Sequence, residues 1–462
     1  MLLRYFYDDN LAQASYMVGC QASGEAIVID PARAITPYLR AAEAEGLRIT
    51  HVAETHIHAD YVSGTRELAH ATGATMLLSD EGTADWKYAI AGENTVLLKD
   101  GDTWMVGNVR FQALHTPGHT PEHMTYMLTD TAAADEPMGL FTGDFLFVGD
   151  VGRPDLLEEA AGIADTARPG AVQQYANIVA FRDMPDYLQV WPGRGAGSAC
   201  GKALGAVPSS TLGYEKRFNP AFGFDDEDAF VTWLLSDQPA APRYFAQMKQ
   251  VNKLGPALLE TLTVPGPLDP ADLGPMLESG HIVIDTRPGD AFAAGHIPGT
   301  LSVPATDSTF NTYVGWFVDF DSPVAFIAGE GSWPQILKQA RAIGVDNIAG
   351  TFPLSVVEDN PDRIERIDAP ALAETLSNVR VIDVRGADEF TSGHIAGAWN
   401  IPVGWLPRHI DELKANQPLV VHCASGYRSG IAASLLKRYD IEAIDFHGGF
   451  EAWRAADLPI ER

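Results

Sequence analysis

Short runs of aliphatic and β-branched residues recur along the chain, each closed by a polar residue or a turn. In the second half these are IVID at 282–285, VAFIA at 324–328, VIDV at 381–384 and LVVHC at 419–423. Runs this short, flanked by turn residues and rich in Val and Ile, predict buried parallel strands. In the first half, IVIDPA (27–32), THVAETH (50–56) and MGLFTGD (138–144) predict strands that run into polar loops. SGIAASLLKRY, just after LVVHC, predicts a helix. Strand, turn and helix in alternation imply α/β architecture.

Breaks rich in Pro and Gly divide the pattern. SDQPAAPRYF (236–245) and LTVPGPLDPADLG (262–274) bracket a short helical stretch, and the charged segment VVEDNPDRIERIDAP (356–370) is interrupted by Pro361. The expected segments are 1–245, 246–358 and 359–462. The last two are copies of one unit. VIDTRPGDAFAAGHIPGTLSVP (283–304) aligns without gaps with VIDVRGADEFTSGHIAGAWNIP (381–402), and 11 of the 22 positions are identical. A constant offset of 98 residues is the size of a small domain, not of a solenoid repeat.

Composition narrows the function. A chain of 462 residues is too long for one ordinary core and fits about three domains. Hydrophobic residues make up 46% and mean hydropathy is −0.05, as in soluble globular proteins. A net charge of −29 argues against nucleic acid and anionic membrane as partners. The N-terminus MLLRYFYDDN lacks the pattern of a signal peptide, and no apolar run reaches the length of a membrane span. Three widely spaced cysteines, Cys20, Cys200 and Cys423, do not suit a disulfide framework. The expected setting is the cytoplasm.

Cys423 falls at the carboxyl end of a strand, where doubly wound sheets bind ligands. The loop CASGYR would aim backbone N–H groups and a helix dipole at its centre, a setting that favours a thiolate. Arg428, five residues on, adds a cation able to fork onto an oxyanion. A structural buried cysteine is the plain alternative. The loop, with VIDVR and SGHIAGAWNIP upstream, resembles the rhodanese family of sulfurtransferases over the last hundred residues. The resemblance implies Cys423 and Arg428 as catalytic residues and a Cys423 persulfide. The middle copy has Ala328 near the cysteine position and Trp333 near the arginine, and so resembles a rhodanese without its nucleophile.

The first segment carries THIHADYVSG, LHTPGHTPEHMTY and GLFTGDFLFVGDVGRPDL in that order. Together they resemble the metallo-β-lactamase superfamily. The implied fold class is α/β: an αββα sandwich with metal at a sheet edge, followed by two rhodanese-like doubly wound domains. Dinuclear members of that superfamily build a second metal site from the Asp of HxHxD, the next His and a late His. Here Asp60 is present, but Tyr61 and Arg194 stand at the other two positions, and a guanidinium has no lone pair to donate. One metal is therefore expected, on His56, His119 and Asp144. A two-His, one-carboxylate set with open positions suits non-haem Fe(II) and oxygen. The resemblance points to the persulfide dioxygenase branch, with one Fe(II) per chain and His58 and Asp60 supporting the ligands.

A dioxygenase that makes sulfite and a rhodanese that consumes it fit one chain, because fusion raises the local sulfite concentration near Cys423. The expected reactants are a low-molecular-weight persulfide, O2, sulfite and thiosulfate, and family resemblance adds a homo-oligomer. Arg153, Arg194 and Cys200 are candidate substrate-binding residues. Against each stands a structural role: an ion pair for Arg153, a clamp on Asp60 for Arg194, and apolar packing for Cys200. Cys20 reads as strand core. Two rival functions remain: a zinc thioester hydrolase of the glyoxalase II type, and a non-catalytic N-terminal docking module.

Overall fold

The structure, a computed structural model, describes residues 1–90, 92, 94–156, 158, 166–358, 362–414 and 417–462. Pro361, expected to interrupt the charged break, lies outside the described residues. The chain divides into two compact units: Met1–Leu262 with Arg341–Gly344, and Thr263–Ala340 with Val345–Arg462.

The first unit contains two six-stranded sheets. One runs Leu2–Asp8, Gln13–Cys20, Glu25–Ile29, Arg48–Ala53, Thr75–Ser79, Thr95–Leu98. Its first pairings are antiparallel and its later ones parallel. The other is ordered Ser210–Thr211, Gln189–Pro192, Gly139–Gly143, Met124–Asp130, Val109–His115, Thr103–Val106. Strand periodicity of two explains the layering. Tyr16, Val18, Phe141 and Trp191 enter the core between the sheets, whereas Met17, Leu140 and Val190 turn outward. The outward sets are covered by helices, through Tyr38, Ala42 and Leu68 on one side and Ala171, Ile178 and Phe230 on the other. This is the expected αββα sandwich. Cys20 lies in the inner core, as its strand position predicted.

The Pro-rich break predicts a first boundary at 245, whereas the first unit continues to Leu262. The helix Tyr244–Leu254 is part of its packing: Phe245 and Met248 are buried. Asn252 donates to the carbonyls of His58 and Tyr61, at 2.7 Å each, and accepts the Ser63 N–H at 2.9 Å. A helix that fastens the HxHxD loop cannot be cut from that domain.

The second unit carries the two repeat copies on parallel sheets. The middle copy orders its strands Leu301–Ser302, Ile282–Asp285, Val324–Ile327, Ile348–Phe352. The C-terminal copy orders Arg366–Ile367, Ala443–Phe446, Leu419–His422, Arg380–Asp383, Trp399–Asn400. The repeated residues have a structural reason. Asp383 clamps Arg385 at 2.6–3.0 Å, and Arg385 Nη2 donates to the Gly393 carbonyl at 2.8 Å. Asp285, Arg287 and Gly295 repeat this in the middle copy, also at 2.8 Å to the glycine. His296 and His394 each stack on the phenylalanine four residues earlier. Register places Ile327 opposite Asp285 as His422 lies opposite Asp383, so Ala328 occupies the position of Cys423. Among the described residues no helix is long and apolar enough to cross a membrane.

Candidate functional site

Three strand ends of the first unit deliver His56, His119 and Asp144. All three are buried, and one ligand atom from each lies within 4.8 Å of the others. His56 follows the strand Arg48–Ala53, His119 sits in the turn before Met124–Asp130, and Asp144 ends Gly139–Gly143. The lone pairs that face the centre can be assigned. His119 Nδ1 lies 2.8 Å from the Arg153 carbonyl, which only accepts, so Nδ1 carries the proton and Nε2 is bare. Thr55 Oγ1 donates to Asp30 Oδ2 at 2.8 Å, so His56 Nδ1, 3.0 Å from that hydroxyl, must donate to it. His56 Nε2 and both Asp144 carboxylate oxygens then have no hydrogen-bond partner despite full burial. Unpartnered buried polar atoms are costly and rare. Here they converge: Asp144 Oδ2 is 3.9 Å from His56 Nε2 and 3.7 Å from His119 Nε2. Two donors each about 2.1 Å from one ion stand roughly 3.4 Å apart, so a cation fits after shifts of a few tenths of an ångström. Burial, reinforced by neighbouring imidazoles, pushes the His56 pKa well down, and burial lowers that of His119. Neutral imidazole is the form a metal needs.

The surrounding groups fix this set in place. Asp30 accepts from the Thr55 N–H at 2.7 Å and faces His58 Nε2 at 3.1 Å. His123 Nε2 accepts the Asp144 N–H at 3.0 Å, so one imidazole positions a ligand through its peptide group. A Cβ on Gly152 would fall 1.7 Å from the Asp144 carbonyl oxygen, which explains a glycine there. His58 is engaged at both nitrogens, by Asp30 and by Arg194 Nη2 at 3.1 Å, and supports the site from outside the ligand set.

Arg194 is the clamp on Asp60. Nε and Nη2 fork onto its carboxylate at 2.8 and 2.7 Å, Nη1 donates to the Gly193 carbonyl, and Nε lies 3.6 Å from Asp144 Oδ2. At 3.6 Å, opposite charges attract by about 4–5 kcal/mol at an effective dielectric of about 20. With the guanidinium buried and so engaged, the substrate-binding alternative for Arg194 gives way. Arg153 is likewise turned from substrate: its guanidinium pairs with Asp155 at 2.8 and 2.5 Å and meets the Pro239 carbonyl. Its contribution to the site is the backbone oxygen on His119. Cys200 Sγ lies 4.0 Å from Asp60 Oδ2, and burial followed by the Asp60 charge pushes its thiol pKa well up. It stands beside the cleft as a neutral thiol.

In the second unit, Cys423 follows Leu419–His422 and precedes the helix Tyr427–Arg438. The Gly426 N–H points at Sγ from 3.1 Å, and Ser429 Oγ is 3.8 Å away. The loop rests on a second backbone: the Cys423 and Ala424 carbonyls accept the N–H groups of Phe450 and Glu451 at 2.8 and 2.9 Å. Gly449 makes that approach with φ +59°, and a Cβ there would meet the Cys423 oxygen at 2.5 Å. Gly449→Ala is expected to cost about 1–3 kcal/mol in a thermal melt. The fork of Arg428, expected to face an oxyanion, lies on Glu389 at 2.5 and 2.9 Å. Any anion entering the loop would have to displace that carboxylate. If Cys423 transfers sulfur, Glu389→Gln is expected to lower KM for an anionic donor such as thiosulfate about three- to tenfold with kcat little changed, measured by sulfur transfer from thiosulfate to cyanide.

Residues 8–191 match the metallo-beta-lactamase superfamily, and residues 368–456 match the rhodanese-like domain. The crystal structure of a metallo-beta-lactamase from Staphylococcus aureus subsp. aureus COL is 44% identical, with a TM-score of 0.71, and the match covers 76% of this chain and 99% of that one. The chain belongs to the metallo-beta-lactamase superfamily. Hydroxyacylglutathione hydrolase of Rhodospirillum rubrum is 37% identical over 147 residues, 32% of this chain and 52% of that protein. A mitochondrial persulfide dioxygenase of Bos taurus is 29% identical over 171 residues, 35% of this chain and 59% of that protein. The chain spans about half the length of the curated relatives it matches. A metal-binding superfamily domain at the N-terminus and a rhodanese-like domain at the C-terminus thus account for both sites.

Sequence reasoning missed several supports of this superfamily site. His123 lies inside TPGHTPEHMTY, and Asp30 closes IVID, so both were visible as residues but not as partners. Asn252 and Glu389 carried no local signal, because each acts on a loop far away in sequence.

Proposed function

We propose that the chain is a bifunctional enzyme of sulfur metabolism. The N-terminal site oxidises a low-molecular-weight thiol persulfide: R–S–SH + O2 + H2O gives R–SH, hydrogen sulfite and a proton. The C-terminal site transfers sulfur: Cys423 thiolate takes the terminal sulfur of a persulfide, releasing R–SH, and sulfite then removes it as thiosulfate. The observation that carries this reading is the pairing of three unpartnered ligand atoms with an arginine on Asp60, which favours one metal rather than two. Iron(II), held by His56, His119 and Asp144, would supply the activation of oxygen.

The chain's own groups do the rest. Thr55 and the Arg153 carbonyl hold the two imidazoles with Nε2 inward, and His123 holds Asp144. Arg194 is forked onto Asp60, so a divalent ion on His56, His119 and Asp144 would meet one ligand carboxylate and keep one positive charge over its ligand set, which favours a persulfide anion. The Cys423 loop offers the Gly426 N–H, and Arg428 once Glu389 is displaced, to the incoming sulfur group. We take the middle copy, with Ala328 in place of cysteine, as a rhodanese-like domain without sulfurtransferase activity. The same reading takes small molecules, not nucleic acid or membrane, as partners, in a cytoplasmic homo-oligomer.

A second reading has an observation in its favour: hydroxyacylglutathione hydrolases match at 37% and 39% identity. It would make the N-terminal site a zinc thioester hydrolase. Anaerobic loading with Fe(II), followed by oxygen uptake and sulfite assay with glutathione persulfide, separates the two. Oxygen-dependent sulfite is expected. Thioester cleavage by the zinc-loaded chain, with no oxygen uptake by the iron-loaded one, would replace the first reading with the second.

A further inference from the structure

Within the second unit, the copy without a nucleophile is tied to the surroundings of Cys423. The helix Tyr427–Arg438 begins at the Cys423 loop, and three of its side chains bond to the middle copy. Tyr427 donates to the Pro304 carbonyl at 3.2 Å, Ser434 Oγ accepts the Ser302 N–H at 3.0 Å, and Arg438 Nη1 donates to the Gly299 carbonyl at 2.7 Å. These positions share one helix face, so the helix is fastened along its length. A second contact runs past the loop itself. The middle copy's helix Phe310–Phe317 lays Trp316 edge-on against Trp405, with ring centroids 5.1 Å apart. A Cβ on Gly404 would fall 2.5 Å from the Trp316 indole, which explains a glycine there. One turn earlier on that helix, Tyr313 meets Tyr427 ring to ring at 5.8 Å. Tyr427 stands between Arg428 and Gly426, whose N–H points at Cys423 Sγ from 3.1 Å. The Tyr313 hydroxyl makes no hydrogen bond among the described residues. Burial pushes its phenol up to about 12, against the pull of Arg428 and with Cys423 and Glu389 adding to the rise. It is thus a neutral group that keeps one proton to donate beside the loop.

We propose that Tyr313 of the middle copy is a specificity-determining residue of the Cys423 site, donating a hydrogen bond to an oxygen of a sulfur oxyanion held jointly with Arg428. This rests on the reading that Cys423 transfers sulfur. Thiosulfate and sulfite carry oxygens that accept such a bond, whereas a thiol persulfide has no oxygen on its reacting sulfurs. Arg428 supplies charge and the phenol supplies a directed donor without adding charge. A site that hydrogen-bonds its ligand rejects a molecule lacking the acceptor more strongly than one that only packs it. The copy without cysteine thereby keeps a part in the reaction: it selects which reagent is favoured at the thiol.

The test is sulfur transfer to cyanide by the full-length chain from two donors, thiosulfate and glutathione persulfide, in wild type and Tyr313→Phe. The variant keeps the ring against Tyr427 and loses only the hydroxyl, so its thermal melt should match wild type. With thiosulfate, KM is expected to rise about tenfold while kcat stays within about twofold. With glutathione persulfide, both constants should stay within about twofold. An unchanged ratio of kcat/KM for the two donors overturns the proposal, whether both values hold or both fall together. A Tyr313→Phe chain that fails to fold also counts against it, because a donor kept for substrate carries no part of the fold. Wild type that transfers sulfur from neither donor would instead remove the sulfur-transfer reading itself.

Discussion

Replacing Cys423 by serine is expected to lower thiosulfate formation by on the order of a thousandfold while oxygen uptake and sulfite release continue. The hydroxyl can take up the hydrogen bonds of the loop, including the Gly426 N–H at 3.1 Å, so the fold should survive. What it cannot do is carry a sulfane sulfur, since an S–S bond needs the thiolate. The candidate metal site, to which oxidation is assigned in the proposal, lies in a different compact unit and shares no residue with this loop. Sulfite should therefore accumulate in place of thiosulfate when glutathione persulfide and oxygen are supplied, and parallel sulfite and thiosulfate assays read the switch. If oxygen uptake disappeared in a correctly folded Cys423→Ser chain, the proposed division of labour would be wrong.

The converse holds for His119→Ala. It removes one of the three candidate ligands and leaves the Arg153 carbonyl without its donor, so metal affinity is expected to fall more than about a hundredfold. Metal analysis after dialysis should find the variant empty and its oxygen uptake gone. Sulfur transfer from thiosulfate to cyanide at Cys423 should stay within about twofold of wild type. Undiminished metal content in the variant would mean that His119 is not a ligand.

The candidate ligand residues stand out in the sequence because metal chemistry restricts donors to few residue types in short phrases. HxHxD, TPGHT and TGD each name a donor, and the strands before them were visible as apolar runs. The layered fold followed from the same runs, whose alternation sorts Phe141 and Trp191 inward from Leu140 and Val190. The roles of arginines were harder. Arg153, Arg194 and Arg428 all look available to an anion in sequence, and all three are engaged by carboxylates in the structure. A charge's partner is a long-range property: Arg194 meets Asp60 across 134 positions and Arg428 meets Glu389 across 39. The helix Tyr244–Leu254 was placed on the wrong side of a boundary for the same reason. Its Pro-rich flank is local, whereas the grip of Asn252 on the HxHxD loop is not.

The Asp–Arg–Gly clasp shared by the two C-terminal copies has a bearing on how such chains change over time. Asp285 with Arg287 and Asp383 with Arg385 hold the same turn by the same bonds, and neither clasp includes the residue after the central strand. The clasp and the residue after the central strand are thus separately encoded in this unit. Cys423 in one copy and Ala328 in the other follow the central strand over the same clasp, so the side chain at that position is free to differ while the turn is kept.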